Sequence, residues 1–164
     1  MRKIDTKEIE ELIYNMALDA GVSLTDSCKK ALYAARDGET EGAAKFALGA
    51  LCDNFELAEN KKMPVCQDTG MAVVMMEIGQ EVFLEGAPLA EAVNSAVRRA
   101  YADGYFRKSV CDPITRKNTG DNTPAVIHTD IVAGDKINIT YIPKGFGSEN
   151  MSRVYMLKPA QGVD

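Results

Sequence analysis

A chain of 164 residues and 17.8 kDa, 46% apolar and 26% charged, is one domain-sized unit able to bury a core. Its net charge of −5 and pI near 5.0 argue against nucleic acid as a partner, because a phosphate backbone demands a cationic face. No apolar run reaches bilayer length, and the opening MRKIDTKEIEELI is too charged for a secretion signal, so neither a membrane span nor export is expected.

The first third reads as helices. Ile9, Leu12, Ile13, Met16, Ala17 and Ala20 recur at helical spacing behind Asp5 or Thr6 as caps, and Gly21 ends the run. A second helix is expected from about Thr25 to Arg36, with Cys28, Ala31, Leu32 and Ala35 on one side and Asp37-Gly38 closing it. Thr40 is a cap for a third, with Ala44, Ala47, Leu48, Leu51 and Phe55 as its stripe. Cys28 and Cys52 lie on these stripes and read as small core hydrophobes.

After the polar break at 60–70 the pattern changes. Ala72–Glu77 predicts a strand, and Gln80–Leu84 a partner strand across an Ile78-Gly79 turn. Pro88 then starts a helix burying Leu89, Ala92, Val93, Ala96, Val97 and Ala100, which Gly104 terminates. The stretch 107–124 is polar, rich in turn formers and too long for a mere connector. Ala125–Val132 and Lys136–Ile142 are strand-like, and Ala133-Gly134-Asp135 between them predicts a hairpin. Helices first and strands afterwards predict an α/β (α+β) domain: a helical N-terminal third, 1–60, followed by a mixed sheet with packed helices over 61–164. The final MLKPAQGVD follows a strand without any closing element, so the chain is expected to be part of something longer.

Three polar segments stand out, PVCQDTG, RKSVCDPITRKNTGDNTPAVIH and KGFGSEN, and loops on a rigid scaffold are where sites are usually built. Each has a plain structural reading as a turn or a solvated loop. Each also has a chemical one. Cys66 offers a thiolate if its surroundings are electropositive or metal-bearing, and Asp68 an acid or base. Arg107 and Arg116, with Lys108 and Lys117, offer donors to carboxylates, and Cys111 is a second thiol. His128, within a strand, is either a hydrogen-bonded core residue or a proton carrier. The glycines of KGFGSEN let backbone N–H groups approach an anion, although the pattern is neither a P-loop nor GxGxxG. With no CxxC pair among Cys28, Cys52, Cys66 and Cys111, reduced thiols and a cytoplasmic setting are expected.

Taken together and in order, the three segments resemble the α region of class I, iron–sulfur-dependent fumarate hydratases and of L(+)-tartrate dehydratase α subunits. The matching text runs from PVCQDTG through FRKSVCDPITRKNTGDNTPAVIH and AGDKINI to KGFGSENMSRVYMLKPAQGV, roughly Met63 to the end. The resemblance implies a hydro-lyase that interconverts a 2-hydroxy dicarboxylate and its unsaturated acid, fumarate and malate foremost. It also implies a [4Fe–4S] cluster held by three cysteines. By position, Cys66 matches the first cluster ligand, and Gln67 and Asp68 match residues that contact the dicarboxylate, with Asp68 placed for proton traffic. Arg107 matches a carboxylate-clamping arginine, and Gly145 and Gly147 fall in a loop whose backbone approaches substrate. Phe146 stands between them in place of a small residue, and His128 matches a position behind the substrate shell.

The family's other two cluster cysteines lie beyond the point corresponding to Asp164, and Cys28, Cys52 and Cys111 do not match them. The resemblance therefore implies a single domain, the N-terminal part of an α subunit, inactive and without cluster when alone. Its partners would be the remaining α sequence, a β subunit or β domain, a small dicarboxylate, and further copies in a homo- or hetero-oligomer. The alternatives at this stage are a non-catalytic truncated domain or paralogue serving as a binding or scaffold module, and a tartrate dehydratase α fragment.

Overall fold

The computed structural model describes residues 1–147 and 153–161. The last three residues of KGFGSEN, and the closing GVD, lie outside the described residues. Among the described residues four helices and five strands follow in the order β1 (Arg2–Asp5), α1 (Thr6–Val22), α2 (Asp26–Gly38), α3 (Gly42–Lys61), β2 (Met71–Gly79), β3 (Val82–Glu85), α4 (Leu89–Asp103), β4 (Val126–Val132) and β5 (Ile137–Lys144). The α/β class expected from the sequence is the one observed.

Local chemistry accounts for most helix ends. The Asp5 carboxylate accepts the Lys7 N–H at 2.9 Å and the Thr25 hydroxyl accepts the Cys28 N–H at 3.4 Å, capping α1 and α2. The expected Thr40 cap on α3 is not used; the boundary residue is Glu41, without a side-chain cap bond. That helix ends where Lys62 turns left-handed at φ 54°. Pro88 precedes α4 and Gly104 closes it, with the Gly104 N–H donating to Ala100 and Ala102 carbonyls.

The main sheet has β2 at its centre, parallel to β4 and antiparallel to β5. Along β2 the side chains alternate. Ala72, Val74, Met76 and Ile78 are buried, while Met75 and Glu77 face outward. Val74, Met76 and Ile78 of that inward row pack with Ile9 and Ile13 of α1 and Val93 and Ala96 of α4 into one core cluster. A second cluster joins Val22, Ala72, Val97, Tyr101 and Phe106, directly beneath the polar loops. The opposite face of the sheet is open, carrying Met75, Glu77, His128 and Thr140.

Two strand pairings differ from the hairpins that sequence adjacency predicts. β3 does not pair with β2; it lies parallel to β1, with Arg2 opposite Val82 and Asp5 opposite Glu85. β4 and β5 do not pair with each other; they straddle β2. Backbone bonds at the far end of β2 make that arrangement economical. Gly79, Gln80 and Glu81 donate their N–H groups to Lys136, Val132 and Gly134, so the β4–β5 turn wraps the end of the central strand.

The second helix also differs from expectation. No residue of α2 is buried, and Cys28 is exposed, whereas Cys52 is fully buried against Phe55 on α3 as expected. Leu51, placed on the α3 stripe, is half-exposed, and Phe46 is 80% exposed. The Val154–Leu157 piece has no regular structure and is exposed. Among the described residues no helix is long and apolar enough to cross a membrane.

Candidate functional site

The three polar segments meet at one end of the main sheet, where the chain enters β2 and leaves β5. The entry is fixed by Gly70. Its φ of +65° suits glycine, and a Cβ there would fall on the Lys144 carbonyl oxygen, so the loop before β2 must pass against the end of β5. Upstream, the Val65 N–H donates to the Gly21 carbonyl at 3.0 Å and the Asn54 amide donates to the Val65 carbonyl at 2.8 Å. The loop is tied to α1 and α3 before it reaches Cys66.

Buried polar groups then join the loop to its neighbours. The Tyr101 hydroxyl donates to the Thr69 carbonyl at 2.7 Å, and burial pushes this phenol's pKa up, keeping it a neutral donor. The Thr69 hydroxyl donates to the Arg107 carbonyl at 2.8 Å. Asn122 is fully buried. Its Oδ1 accepts the N–H groups of Ser109 (2.8 Å) and Val110 (3.0 Å), and its Nδ2 donates to the Gly70 carbonyl at 3.0 Å. Next to it, Arg98 of α4 pairs with Asp121 at 2.8 Å. Burial pushes the Asp121 carboxyl up, but Arg98 and the Thr123 hydroxyl and N–H outweigh it and hold the pKa down at about 2.

Asp68 takes a central place. Its Oδ1 accepts the Phe146 N–H at 3.1 Å and its Oδ2 the Gly147 N–H at 2.7 Å, so the glycine loop grips the carboxylate through its backbone. A Cβ at Gly147 would stand 3.4 Å from Oδ2, in ordinary contact. A cleft of about 530 Å³ opens here, walled by Gln67, Asp68 and Arg107 on one side and by Phe146 and Gly147 on another. Ser109, Cys111, Pro113 and Arg116 complete it. A smaller cavity of about 150 Å³ lies beside it, lined by Cys66, Asp68, Thr69, Tyr101 and Tyr141. Asp68 borders both spaces.

Of the residues singled out in the sequence, the structure therefore brings Gln67, Asp68, Arg107 and Gly147 to one cleft. Gly145 is buried behind it. Cys66 is exposed beside the smaller cavity, with its Sγ accepting the Asp68 N–H at 3.3 Å. His128 is elsewhere, on the open face of the sheet opposite Met75, beside Glu77 and Asp130. Sequence reading missed Asn122 and Tyr101, whose polar atoms act only through contacts 12 to 52 residues away. The one available signal was an asparagine in a turn-forming stretch.

Cys66 presents an exposed thiol, with its sulfur hydrogen-bonded to the Asp68 backbone, in a place from which a soft ligand can reach a metal. Among the described residues no three His, Cys, Asp or Glu side chains converge to hold a metal ion. The donor set thus fits one corner of an iron–sulfur cluster and not a whole one.

The family model for fumarate hydratase (Fumerase) matches residues 10–164 of this chain. A Methanocaldococcus jannaschii protein, provisionally named as an L(+)-tartrate dehydratase subunit alpha, is 33% identical over 163 residues, covering 96% of this chain and 57% of that protein. The anaerobic class I fumarate hydratase of Escherichia coli K12 is 29% identical over 157 residues, covering 93% of this chain and 28% of the enzyme. The L(+)-tartrate dehydratase subunit alpha of Escherichia coli UTI89 is 26% identical over 161 residues, covering 96% and 53%. The chain thus spans between about a quarter and somewhat over half of the length of these relatives.

Proposed function

The chain belongs to the fumarate hydratase family, and we propose that it builds one wall of a hydro-lyase site for 2-hydroxy dicarboxylates, with malate and fumarate as the leading pair. The observation that carries this reading is the convergence of Gln67, Asp68, Arg107 and Gly147 on a single cleft. Removing water from a 2-hydroxy dicarboxylate breaks a C–O bond and the C–H bond on the neighbouring carbon, building negative charge beside a carboxylate. The site must therefore fix the dicarboxylate's orientation, hold its charge and move one proton.

Each cleft residue suits one of those tasks. Arg107 clamps a substrate carboxylate, where the planar guanidinium sets direction as well as charge. Gln67 offers an amide donor and acceptor to substrate oxygens. Asp68 serves the proton, with its carboxylate aimed by the Phe146 and Gly147 N–H groups. Gly147 brings its backbone to the cleft wall, where substrate can approach it, with Gly145 buried behind. Cys66 would supply one of three thiolates to a [4Fe–4S] cluster, which when bound would bring Lewis-acid chemistry to the site. The other two ligands come from outside the described residues. On this reading the chain acts as a single domain, completed by further α sequence and by a β subunit or β domain. His128 takes no direct part.

Tartrate is the second substrate to consider, because two relatives carry that name. It differs from malate by one hydroxyl, which a polar group on the facing wall would recognise.

Anaerobic production of the chain together with its completing polypeptide, followed by cluster reconstitution, tests the reading. A brown complex that hydrates fumarate, and that loses both colour and activity on Cys66→Ala, is the expected result. Full activity in Cys66→Ala, or a colourless and inactive wild-type complex, would overturn it.

A further inference from the structure

We propose that Asn122 is a positioning residue: it locks the loop bearing Cys66, Gln67 and Asp68 to the loop bearing Arg107, so that the two face one cleft. The two loops come from different parts of the chain, one leading into β2 and the other following α4. One direct bond joins them, from the Thr69 hydroxyl to the Arg107 carbonyl at 2.8 Å, and it leaves the buried backbone groups beside it without partners. Three polar atoms on the Arg107 side and the β2 entry need partners once buried, namely the Ser109 and Val110 N–H groups and the Gly70 carbonyl. One amide satisfies all three. Its oxygen takes the two N–H groups at 2.8 and 3.0 Å while its nitrogen gives to Gly70 at 3.0 Å.

Asn122 sits at φ +64°, a conformation that asparagine tolerates better than most side chains. Carboxamide chemistry is required at that spot. A carboxylate could take the two N–H groups but would present an oxygen to the Gly70 carbonyl, and a hydroxyl is too short to span both loops. Tyr101 supports the same carbonyl from α4, its hydroxyl lying 3.2 Å from the Gly70 oxygen and 2.7 Å from that of Thr69. The link then runs from Gly70 back to Asp68, and from Asp68 to the Phe146 and Gly147 N–H groups. Asn122 thereby acts on the glycine loop without touching it.

The functional meaning of this lock rests on the cleft being an anion site, but its structural part can be tested separately. Two variants separate the two halves of the amide. Asn122→Gly keeps the left-handed backbone and removes all three bonds. Asn122→Asp keeps the acceptor and loses the donor. Amide hydrogen exchange followed by NMR reads Ser109 and Val110 on one side, and Phe146 and Gly147 on the other, while fumarate titration reads the cleft.

In Asn122→Gly, exchange is expected to rise roughly tenfold at all four amides, with a similar loss of fumarate affinity. In Asn122→Asp, Ser109 and Val110 are expected to stay protected while Phe146 and Gly147 open and fumarate binding weakens. Opening confined to Ser109 and Val110, with Phe146, Gly147 and fumarate affinity unchanged, would overturn the proposal. So would loss of helical circular dichroism and of cooperative melting in both variants, since Asn122 would then hold the whole fold. If the wild-type chain binds no fumarate, the reading of the cleft fails, and exchange at Phe146 and Gly147 alone decides the role of Asn122.

Discussion

The two ends of the molecule are built on different principles. At the cleft, loops without regular structure are held by the buried Tyr101 and Asn122, which close on Thr69 and Gly70, and by exposed backbone N–H groups that close on Asp68. At the α2–α3 hairpin, regular helices are held by surface contacts. Lys29 reaches Glu59 at 2.6 Å, the Tyr33 hydroxyl donates to Glu56 at 2.6 Å, and Tyr33 sets its ring edge-on to Phe55. No α2 residue is buried. Secondary structure is therefore a poor guide to rigidity here. At the irregular end the Tyr101 and Asn122 bonds are closed to water, whereas at the helical end the Tyr33–Glu56 bond is open to it.

The largest blow to the cleft side should come from Gly70→Ala. The left-handed φ and the obstruction by the Lys144 carbonyl act together, at a cost of about 3 kcal/mol or more. Chemical denaturation checks it, and a cost under about 1 kcal/mol would mean that the loop before β2 is free to move. Arg107→Gln should leave stability nearly unchanged and weaken dicarboxylate binding by roughly 10- to 100-fold, the worth of a charge-assisted pair. Calorimetric titration with fumarate measures it.

A smaller effect is expected from acid. Asp121 ionises at about 2 in the folded chain, below the ordinary aspartate value of 3.8. The stability it contributes is present above about pH 4 and is lost as pH falls toward 2. Asp121→Asn should flatten that part of the melting profile, and the part-exposed Arg98 keeps the change modest. The smallest effect belongs to the hairpin. Cys28→Ser, on an exposed helix face, should shift stability by no more than about 0.5 kcal/mol. A large loss there would mean that α2 is not the solvated helix it is in this structure.

Much of the architecture was legible because periodicity reports burial. The row Ala92, Val93, Ala96, Val97, Ala100 named the face of α4, and the apolar run Ala72–Glu77 named the central strand without saying which side faces the helices. Strand partners were not legible. Adjacent strands with a short turn between them read as hairpins, yet β2 offers two free edges, and β4 and β5 each took one. Cys28 misled for a related reason: a stripe marks a side that can be buried, and only a partner buries it. Cleft residues with unusual local chemistry, such as Asp68 and Arg107, could be picked from the sequence. Asn122 could not, because an asparagine in a turn looks the same whether it bonds to its own loop or to Gly70, 52 residues away.

The proposed function requires that the convergent cleft take a dicarboxylate through Arg107. Fumarate titration of the wild-type chain and of Arg107→Gln, followed at the backbone amides, tests it most directly. The account predicts shifts centred on Gln67, Asp68, Ser109 and Gly147 that Arg107→Gln abolishes. Shifts centred on the open sheet face around His128, or shifts at the cleft that survive the loss of Arg107, would contradict it.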